Sequence, residues 1–300
     1  MVNLKQSISD WAPIIKIVNL SLSGFMGLLA VDFYLDLEFD AWIGLALMCS
    51  IFSVYTFNCF TDRAEDLASK NKYNSKIVDL RLYRTGIIIF AIAVLIFIFH
   101  CFSAIKLSLF AVAALLSIAY SCRIIPSFEN DLQRDRLEKN RYRFKEITAV
   151  KNITIALGWA GSISIAPLVF SDRKVDVDYS FLLLFISLFI LIFINSLFGD
   201  IRDRDGDRMA GVRTMPVVFG TNTCYKSIIF ISTLWFSWIF SSYQDNAIDS
   251  NIFWFLSAVI TYPFSYFIPY QLGVKSEFIL DIICEFDVWF FSIGLLLLSM

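Results

Sequence analysis

The sequence predicts an all-α, polytopic membrane protein whose nine transmembrane helices surround a central cavity. Of its 300 residues, 58% are hydrophobic and 17% are charged, and the mean hydropathy is +0.68. Soluble domains are usually about 45–50% apolar and about 25% charged. The apolar residues here fall into blocks of the length, about 20 residues, that a helix needs to cross a bilayer core. Residues 1–300 are predicted to form a single transmembrane domain.

Each apolar block is expected to be a helix, because lipid offers no partner for free backbone N–H and C=O groups. The first block is interpreted as a retained helix, since charged residues precede it and no clear signal-peptide cleavage site follows it. The predicted segments, in chain order, are 14–31, 41–60, 84–103, 105–122, 151–171, 179–199, 225–243, 250–270 and 279–300.

The distribution of lysine and arginine predicts the orientation of these helices. If the N-terminus is cytoplasmic and the helices alternate, 22 of the 25 basic residues lie on the cytoplasmic side. The other three are Lys106, Arg173 and Lys174. The long polar loops 61–83, 123–150 and 200–224 then share the cytoplasmic face, which is where we expect the chemistry.

Composition also argues against several other classes of protein. The net charge of −2 gives no electrostatic reason to expect nucleic acid as a partner. The six cysteines are scattered and form no CxxC pair, so neither a zinc site nor a disulfide framework is predicted.

The first acidic motif follows the second apolar segment and reads Asn58-Cys-Phe-Thr-Asp62-Arg63-Ala-Glu-Asp66. Asn58, Asp62 and Asp66 are four residues apart, so a helix would stack them on one face. Like charges at that spacing repel one another unless a cation lies between them. A solvated helix end at the membrane surface remains an alternative interpretation of this motif alone.

The second acidic motif follows the sixth segment, where Asn195 precedes Asp200, Asp203 and Asp207. These three aspartates have i, i+3 and i+7 spacing and should share one helical face, whereas Asp205 points elsewhere. Two carboxylate clusters on one membrane face suit Mg²⁺, which carboxylates and substrate phosphates commonly bind together. The pair of motifs therefore predicts a magnesium and diphosphate site.

The continuation of the second motif resembles the UbiA superfamily of intramembrane prenyltransferases. The residues that carry this resemblance are Gly206-Asp207-Arg208, Gly211 and Arg213-Thr214-Met215-Pro216-Val217. The nine predicted helices and the shared face of both motifs agree with it. Many family members have Asp directly after the first-motif Asn, where this chain has Cys59, so the subfamily stays open.

The resemblance implies a Mg²⁺-dependent enzyme that ionises an isoprenoid diphosphate and transfers the prenyl group to an aromatic or lipophilic acceptor within the membrane. The implied catalytic residues are Asp62, Asp66, Asp200, Asp203 and Asp207, and these same residues with Asn58 are the implied metal ligands. The active site would open toward the cytoplasm. The implied substrate contacts are Asn58, Arg63, Arg123, Lys145, Lys151, Asn195 and Arg208.

Two other functions remain open at this point. A terpene cyclase of the UbiA type would use the same aspartates without an external acceptor. A divalent-cation transporter is disfavoured, because the carboxylates lie at helix ends and not at mid-membrane. Asp281, Glu285 and Asp287 near the last segment could contact an acceptor or lie in a loop. His100, the only histidine, is expected to be incidental.

Overall fold

The chain is almost entirely helical in the part that the structure describes. The computed structural model describes residues 2–61, 80–100, 103–122, 125–126, 141–142, 147–171, 177–274 and 277–300. Its helices are α1 (Val2–Tyr34), α2 (Ala41–Thr61), α3 (Leu80–His100), α4 (Ala104–Ser121), α5 (Val150–Ala160), α6 (Ala166–Phe170), α7 (Tyr179–Ala210), α8 (Met215–Phe219), α9 (Thr221–Gln244), α10 (Ser250–Thr261), α11 (Phe264–Gln271), α12 (Glu277–Glu285) and α13 (Asp287–Leu298). Two short strands, β1 (Ile125–Pro126) and β2 (Arg141–Tyr142), pair antiparallel.

Eight of the described segments are long and apolar enough to cross a membrane, which confirms a multi-pass integral membrane protein. They are α1 from Ile14 onward, α2, α3, α4, α5 with α6, α7, α9, and α10 with α11. Each coincides with one of the first eight segments predicted from the sequence. The main difference is α7, which runs about ten residues beyond its predicted end at 199 and so carries the second acidic motif on a continuous helix.

The predicted ninth span, 279–300, is instead two shorter helices, α12 and α13. They meet at Phe286, whose φ of −87° and ψ of 0° interrupt the helix. The 12 residues of α13 reach about 18 Å, which is shorter than a bilayer core. The Asp287 carboxylate accepts a hydrogen bond from the Val288 N–H at 2.6 Å, which favours a new helix start there.

Helix α7 lies at the centre of the bundle, in contact with α5, α9, α10 and α13. About 56% of the most apolar stretch of α7 is buried, whereas only 11% of the corresponding stretch of α4 is buried. The apolar part of α7 therefore packs against other helices on most sides, whereas most of α4 is left unburied. The buried residues of α7 form the middle of the main core, among them Leu188, Leu191, Ile194, Leu197 and Phe198.

Acidic residues of the short loops serve as helix caps at one end of the bundle. The Asp178 carboxylate accepts the Phe181 N–H at 2.7 Å and so caps α7. Asp40 caps α2 by accepting the Trp42 N–H at 2.9 Å. Such caps satisfy backbone N–H groups that have no partner inside the helix.

Helices α2 and α3 approach one another closely at Gly86. The Ser53 hydroxyl of α2 donates to the Gly86 carbonyl at 3.0 Å, and the Thr56 hydroxyl lies against the Gly86 Cα. A Cβ atom at this position would lie 2.2 Å from the Thr56 Oγ1. Small residues that let helix backbones approach are typical of packing between membrane helices.

One turn of π-helix, Gly161–Ile165, joins α5 to α6. The Ala166 N–H donates to the Gly161 carbonyl, five residues earlier. Pro167 follows at once, and a proline lacks the N–H that a regular helix would need there. The wider turn carries the chain through this point without ending the membrane span.

Candidate active site at the end of α7

The second acidic motif lies on the last turns of α7. Asp200 is buried, with 2% of its surface exposed, Asp207 is half-buried and Asp203 is exposed. All three interact electrostatically with Lys151, so they face the same part of the bundle as predicted. Asp205 is exposed on the same helix. The carboxylates therefore form a row that runs from the bundle interior to its surface.

Asp200 is held by two consecutive residues at the start of α5. The Lys151 ammonium donates to Asp200 Oδ1 at 2.5 Å, and the Asn152 amide donates to Asp200 Oδ2 at 3.0 Å. The same amide also reaches the Ser196 hydroxyl at 3.0 Å. The side-chain oxygen of Asn152, Oδ1, is buried and accepts no hydrogen bond from any described residue, which is uncommon for a buried polar atom.

The residues that follow Asp207 in the second motif end α7, start α8 and hold the Asp207 side chain. Gly211 ends α7 with a φ of +72°, which glycine adopts without strain, and the Val212 N–H returns to the Asp207 carbonyl at 2.8 Å. The Thr214 hydroxyl donates to Asp207 Oδ2 at 3.0 Å. Pro216 then starts α8, where a missing N–H costs nothing. The turn thus fixes one oxygen of Asp207.

The end of the first motif that is described lies in the same region. The Asn58 side-chain oxygen accepts a hydrogen bond from the Ser121 hydroxyl at the end of α4. Tyr120, next to Ser121, interacts electrostatically with Lys151, Asp200 and Tyr55. The ends of α2, α4, α5 and α7 therefore converge, which brings Asn58 of the first motif to the side of the bundle that holds the second.

Asn195 has a different set of contacts from those predicted. Its amide donates to the Cys284 carbonyl at 2.6 Å and to the Asp287 carboxylate at 2.8 Å. Asp287 is 3% exposed, and Glu285 forms an ion pair with Lys16 at 2.8 Å. Asn195 therefore connects α7 to α12 and α13 through hydrogen bonds. Glu285 and Asp287 belong to helices and not to a loop.

Several predicted residues lie outside the described ones, namely Asp62, Arg63, Asp66, Arg123 and Lys145, as does the side chain of Asp281. Arg208 is exposed on the last turn of α7. His100 pairs with Asp40 at 2.6 Å, at the other end of the bundle from Asp200. Sequence reasoning assigned no role to Asn152, Ser121, Ser196 or Thr214, although Thr214 lies inside the motif that carried the family resemblance.

The donor set of the described half of the site fits a hard cation such as Mg²⁺, because it consists of carboxylate and amide oxygens. Within that half, no three acidic, histidine or cysteine side chains converge on one point. The helical rise separates Asp200 from Asp203 by about 4.5 Å and Asp203 from Asp207 by about 6 Å along the axis. Further oxygen ligands are therefore needed from outside α7.

Comparison with known protein families decides which family this is. The model of the UbiA prenyltransferase family matches residues 20–276, which is most of the chain. The chain belongs to the UbiA prenyltransferase family. This confirms the resemblance drawn from the second motif. Among curated proteins, no sequence matches the chain significantly.

Solved UbiA structures share the fold at low sequence identity. A UbiA homolog from Archaeoglobus fulgidus bound to GPP and Mg²⁺ has a TM-score of 0.62 at 16% identity, over 96% of this chain and 98% of that one. The apo structure of a UbiA homolog from Aeropyrum pernix K1 has a TM-score of 0.60 at 13% identity, over 95% and 98%. A digeranylgeranylglyceryl phosphate synthase has a TM-score of 0.56 at 15% identity, over 99% of each chain.

Proposed function

We propose that the protein is a Mg²⁺-dependent intramembrane prenyltransferase that acts on an isoprenoid diphosphate. The observation that carries this proposal is the buried ion pair of Lys151 with Asp200, beside Asp203 and Asp207 on α7. A cation and a row of carboxylates at the end of a membrane helix suit a metal-bound diphosphate. Solved relatives of the same fold bound to GPP or DMAPP with Mg²⁺ support the same conclusion.

The metal ligands proposed from the two motifs are Asn58, Asp62, Asp66, Asp200, Asp203 and Asp207. Both oxygens of Asp200 already accept hydrogen bonds from Lys151 and Asn152, so Asp200 would contribute least directly. Among the described residues only Thr214 donates a hydrogen bond to Asp207 and none donates to Asp203, so both have oxygens available for a metal ion. The side-chain oxygen of Asn152, which accepts no hydrogen bond from a described residue, is a further candidate ligand. When bound, Mg²⁺ would neutralise charge on the departing diphosphate.

The chain's own cations would complete the site. Lys151 is proposed to stabilise the diphosphate oxygens, and its hydrogen bond to the Asp200 carboxylate would keep the ammonium group oriented. Arg63, Arg123, Lys145 and Arg208 are proposed as further diphosphate contacts. Asn195 is proposed as a positioning residue, because its amide is occupied by the Cys284 carbonyl and by Asp287.

The proposed reaction breaks the bond between the allylic carbon and the diphosphate oxygen, and the electron pair leaves with diphosphate. The acceptor then forms a bond to that carbon and loses a proton. We propose an aromatic or lipophilic acceptor, because the site lies at the end of membrane-spanning helices. We also propose that the site opens toward the cytoplasm, on the basis of the distribution of basic residues.

The test is a product screen with purified protein in nanodiscs, in a buffer that contains Mg²⁺. Prenyl diphosphates of several chain lengths are offered with aromatic and lipid acceptors, and products are identified by mass spectrometry. Asp203→Asn and Asp207→Asn should abolish transfer, whereas the matched control Asp205→Asn should retain it. Full transfer by Asp207→Asn would contradict the assignment. A cyclic terpene formed without any acceptor would instead identify the protein as a cyclase.

A further inference from the structure

A cavity of about 460 Å³ lies at the end of the bundle opposite the acidic motifs. It is bounded by the end of α1, the start of α2 and the end of α6. Tyr34 of α1 interacts electrostatically with Asp178, which caps the first turn of α7. Asp200 lies 22 residues after Asp178, so about 33 Å of helix separates the cavity from the proposed active site.

The walls of this cavity combine acidic and apolar side chains. Asp32, Glu38 and Asp40 provide carboxylates, and Leu28, Phe39, Ile43, Pro167 and Phe170 provide apolar surface. Trp42 also lines it and is 55% exposed. Exposed tryptophans at the ends of membrane helices are typical of the level of the lipid headgroups. The cavity therefore lies where a headgroup could enter it from the membrane.

Asp32 is the unusual member of this set. It is 6% exposed and lines the cavity, yet no group of the described residues donates a hydrogen bond to its side chain or forms an ion pair with it. Asp40, by contrast, already pairs with His100 and caps α2. A buried carboxylate without a partner is costly, so a cationic ligand in the cavity would relieve a penalty that the described residues leave uncompensated.

The chemistry of the ligand follows from the groups around the cavity. A carboxylate accepts hydrogen bonds, which favours a primary ammonium with three N–H donors over a quaternary ammonium that has none. The Lys106 ammonium, which donates to the carbonyl of the lining residue Phe170 at 2.8 Å, provides positive charge at the edge of the cavity. Carboxylates inside the cavity and a positive charge at its edge suit a zwitterion with one ammonium and one phosphate.

We propose that this cavity binds the phosphoethanolamine headgroup of a membrane lipid, with its ammonium group on Asp32 and its phosphate toward Lys106. The site would be independent of prenyl transfer and would anchor the protein to aminophospholipid at the membrane face opposite the motifs. Its apolar walls would contact the glycerol backbone and the first methylene groups of the acyl chains. No role in catalysis is required for it.

The test measures lipid binding to the purified full-length protein by native mass spectrometry. Phosphatidylethanolamine, its N,N-dimethyl derivative, phosphatidylcholine and phosphatidylglycerol are added separately. Soluble O-phosphoethanolamine in a further arm distinguishes a lipid from a free headgroup. Asp32→Asn is compared with Asp36→Asn, which removes an exposed carboxylate outside the cavity from the loop that follows α1.

The wild-type protein should prefer phosphatidylethanolamine, with binding weakening in order as N-methylation removes donors. Asp32→Asn should bind it at least about tenfold more weakly, as expected for loss of a charged hydrogen bond, whereas Asp36→Asn should match the wild type. Equal binding of all four lipids by the wild type would overturn the proposal even if Asp32→Asn failed to fold. Undiminished preference in a folded Asp32→Asn would overturn it as well.

Discussion

Replacement of Lys151 by methionine tests whether the buried pair at the centre of the site is an energetic unit. Methionine keeps most of the side-chain volume but leaves the Asp200 carboxylate, 2% exposed, without its cation. Removal of one partner from a buried ion pair costs about 3–5 kcal/mol. The Lys151 side chain is 31% exposed and Asn152 still donates to Asp200, so we expect about 2–4 kcal/mol here.

The companion variant, Lys151→Met with Asp200→Asn, removes both charges. It should recover most of the lost stability, because no uncompensated charge then remains buried. Thermal unfolding in detergent should show a fall in Tm on the order of 10 °C for Lys151→Met and much less for the double variant. Prenyl transfer should be lost in both. The single variant Asp200→Asn completes the cycle. If the loss of stability in the double variant equals the sum of the losses in the two single variants, the charges do not interact and the reasoning is refuted.

Three further variants test the local geometry. Thr214→Val should lower kcat about tenfold with little change in Tm, because it removes a hydrogen bond to the charged Asp207. Thr214→Ser keeps the hydroxyl and should retain activity. An equal loss of kcat in both variants would contradict a role for this hydrogen bond. Gly211→Ala should destabilise by about 1 kcal/mol in thermal unfolding because of its φ of +72°, since no described residue beyond its chain neighbours lies within 4 Å of the new Cβ. Gly211→Asn should cost less. Gly86→Ala should lower stability by about 1–3 kcal/mol, and Thr56→Ala should restore much of it if the clash is the cause.

The spacing within the second motif was sufficient to predict its geometry. Asp200, Asp203 and Asp207 at i, i+3 and i+7 do lie on one helix and interact with one cation, because helical periodicity is a local property. The apolar segments predicted nine membrane spans, and the first eight are confirmed, since lipid imposes both their length and their helical conformation. The family followed from the Gly-Asp-Arg and Arg-Thr-Met-Pro-Val residues, which are now seen to end one helix and start the next.

Contacts between distant segments could not be predicted in the same way. Lys151 was one of 25 basic residues, and its pairing with Asp200 depends on how α5 packs against α7. The hydrogen bond from the Asn195 amide to the Asp287 carboxylate, 92 residues further along the chain, likewise depends on how α7 packs against α13. The interruption at Phe286 was missed because composition records the apolar character of 279–300 without its backbone conformation.

The π-helical turn between α5 and α6 sets the rotation of one end of that span relative to the other. One residue beyond the α-helical repeat turns every later side chain by about 100° around the axis. Lys151 and Asn152 at one end therefore face Asp200, while Pro167 and Phe170 at the other end face the acidic cavity. Deletion of one residue within Gly161–Ile165 would turn the outer end away from its cavity and leave the inner end in register. Residues of one span thus lie beside both the proposed active site and the acidic cavity, and those at one end can be substituted without changing those at the other.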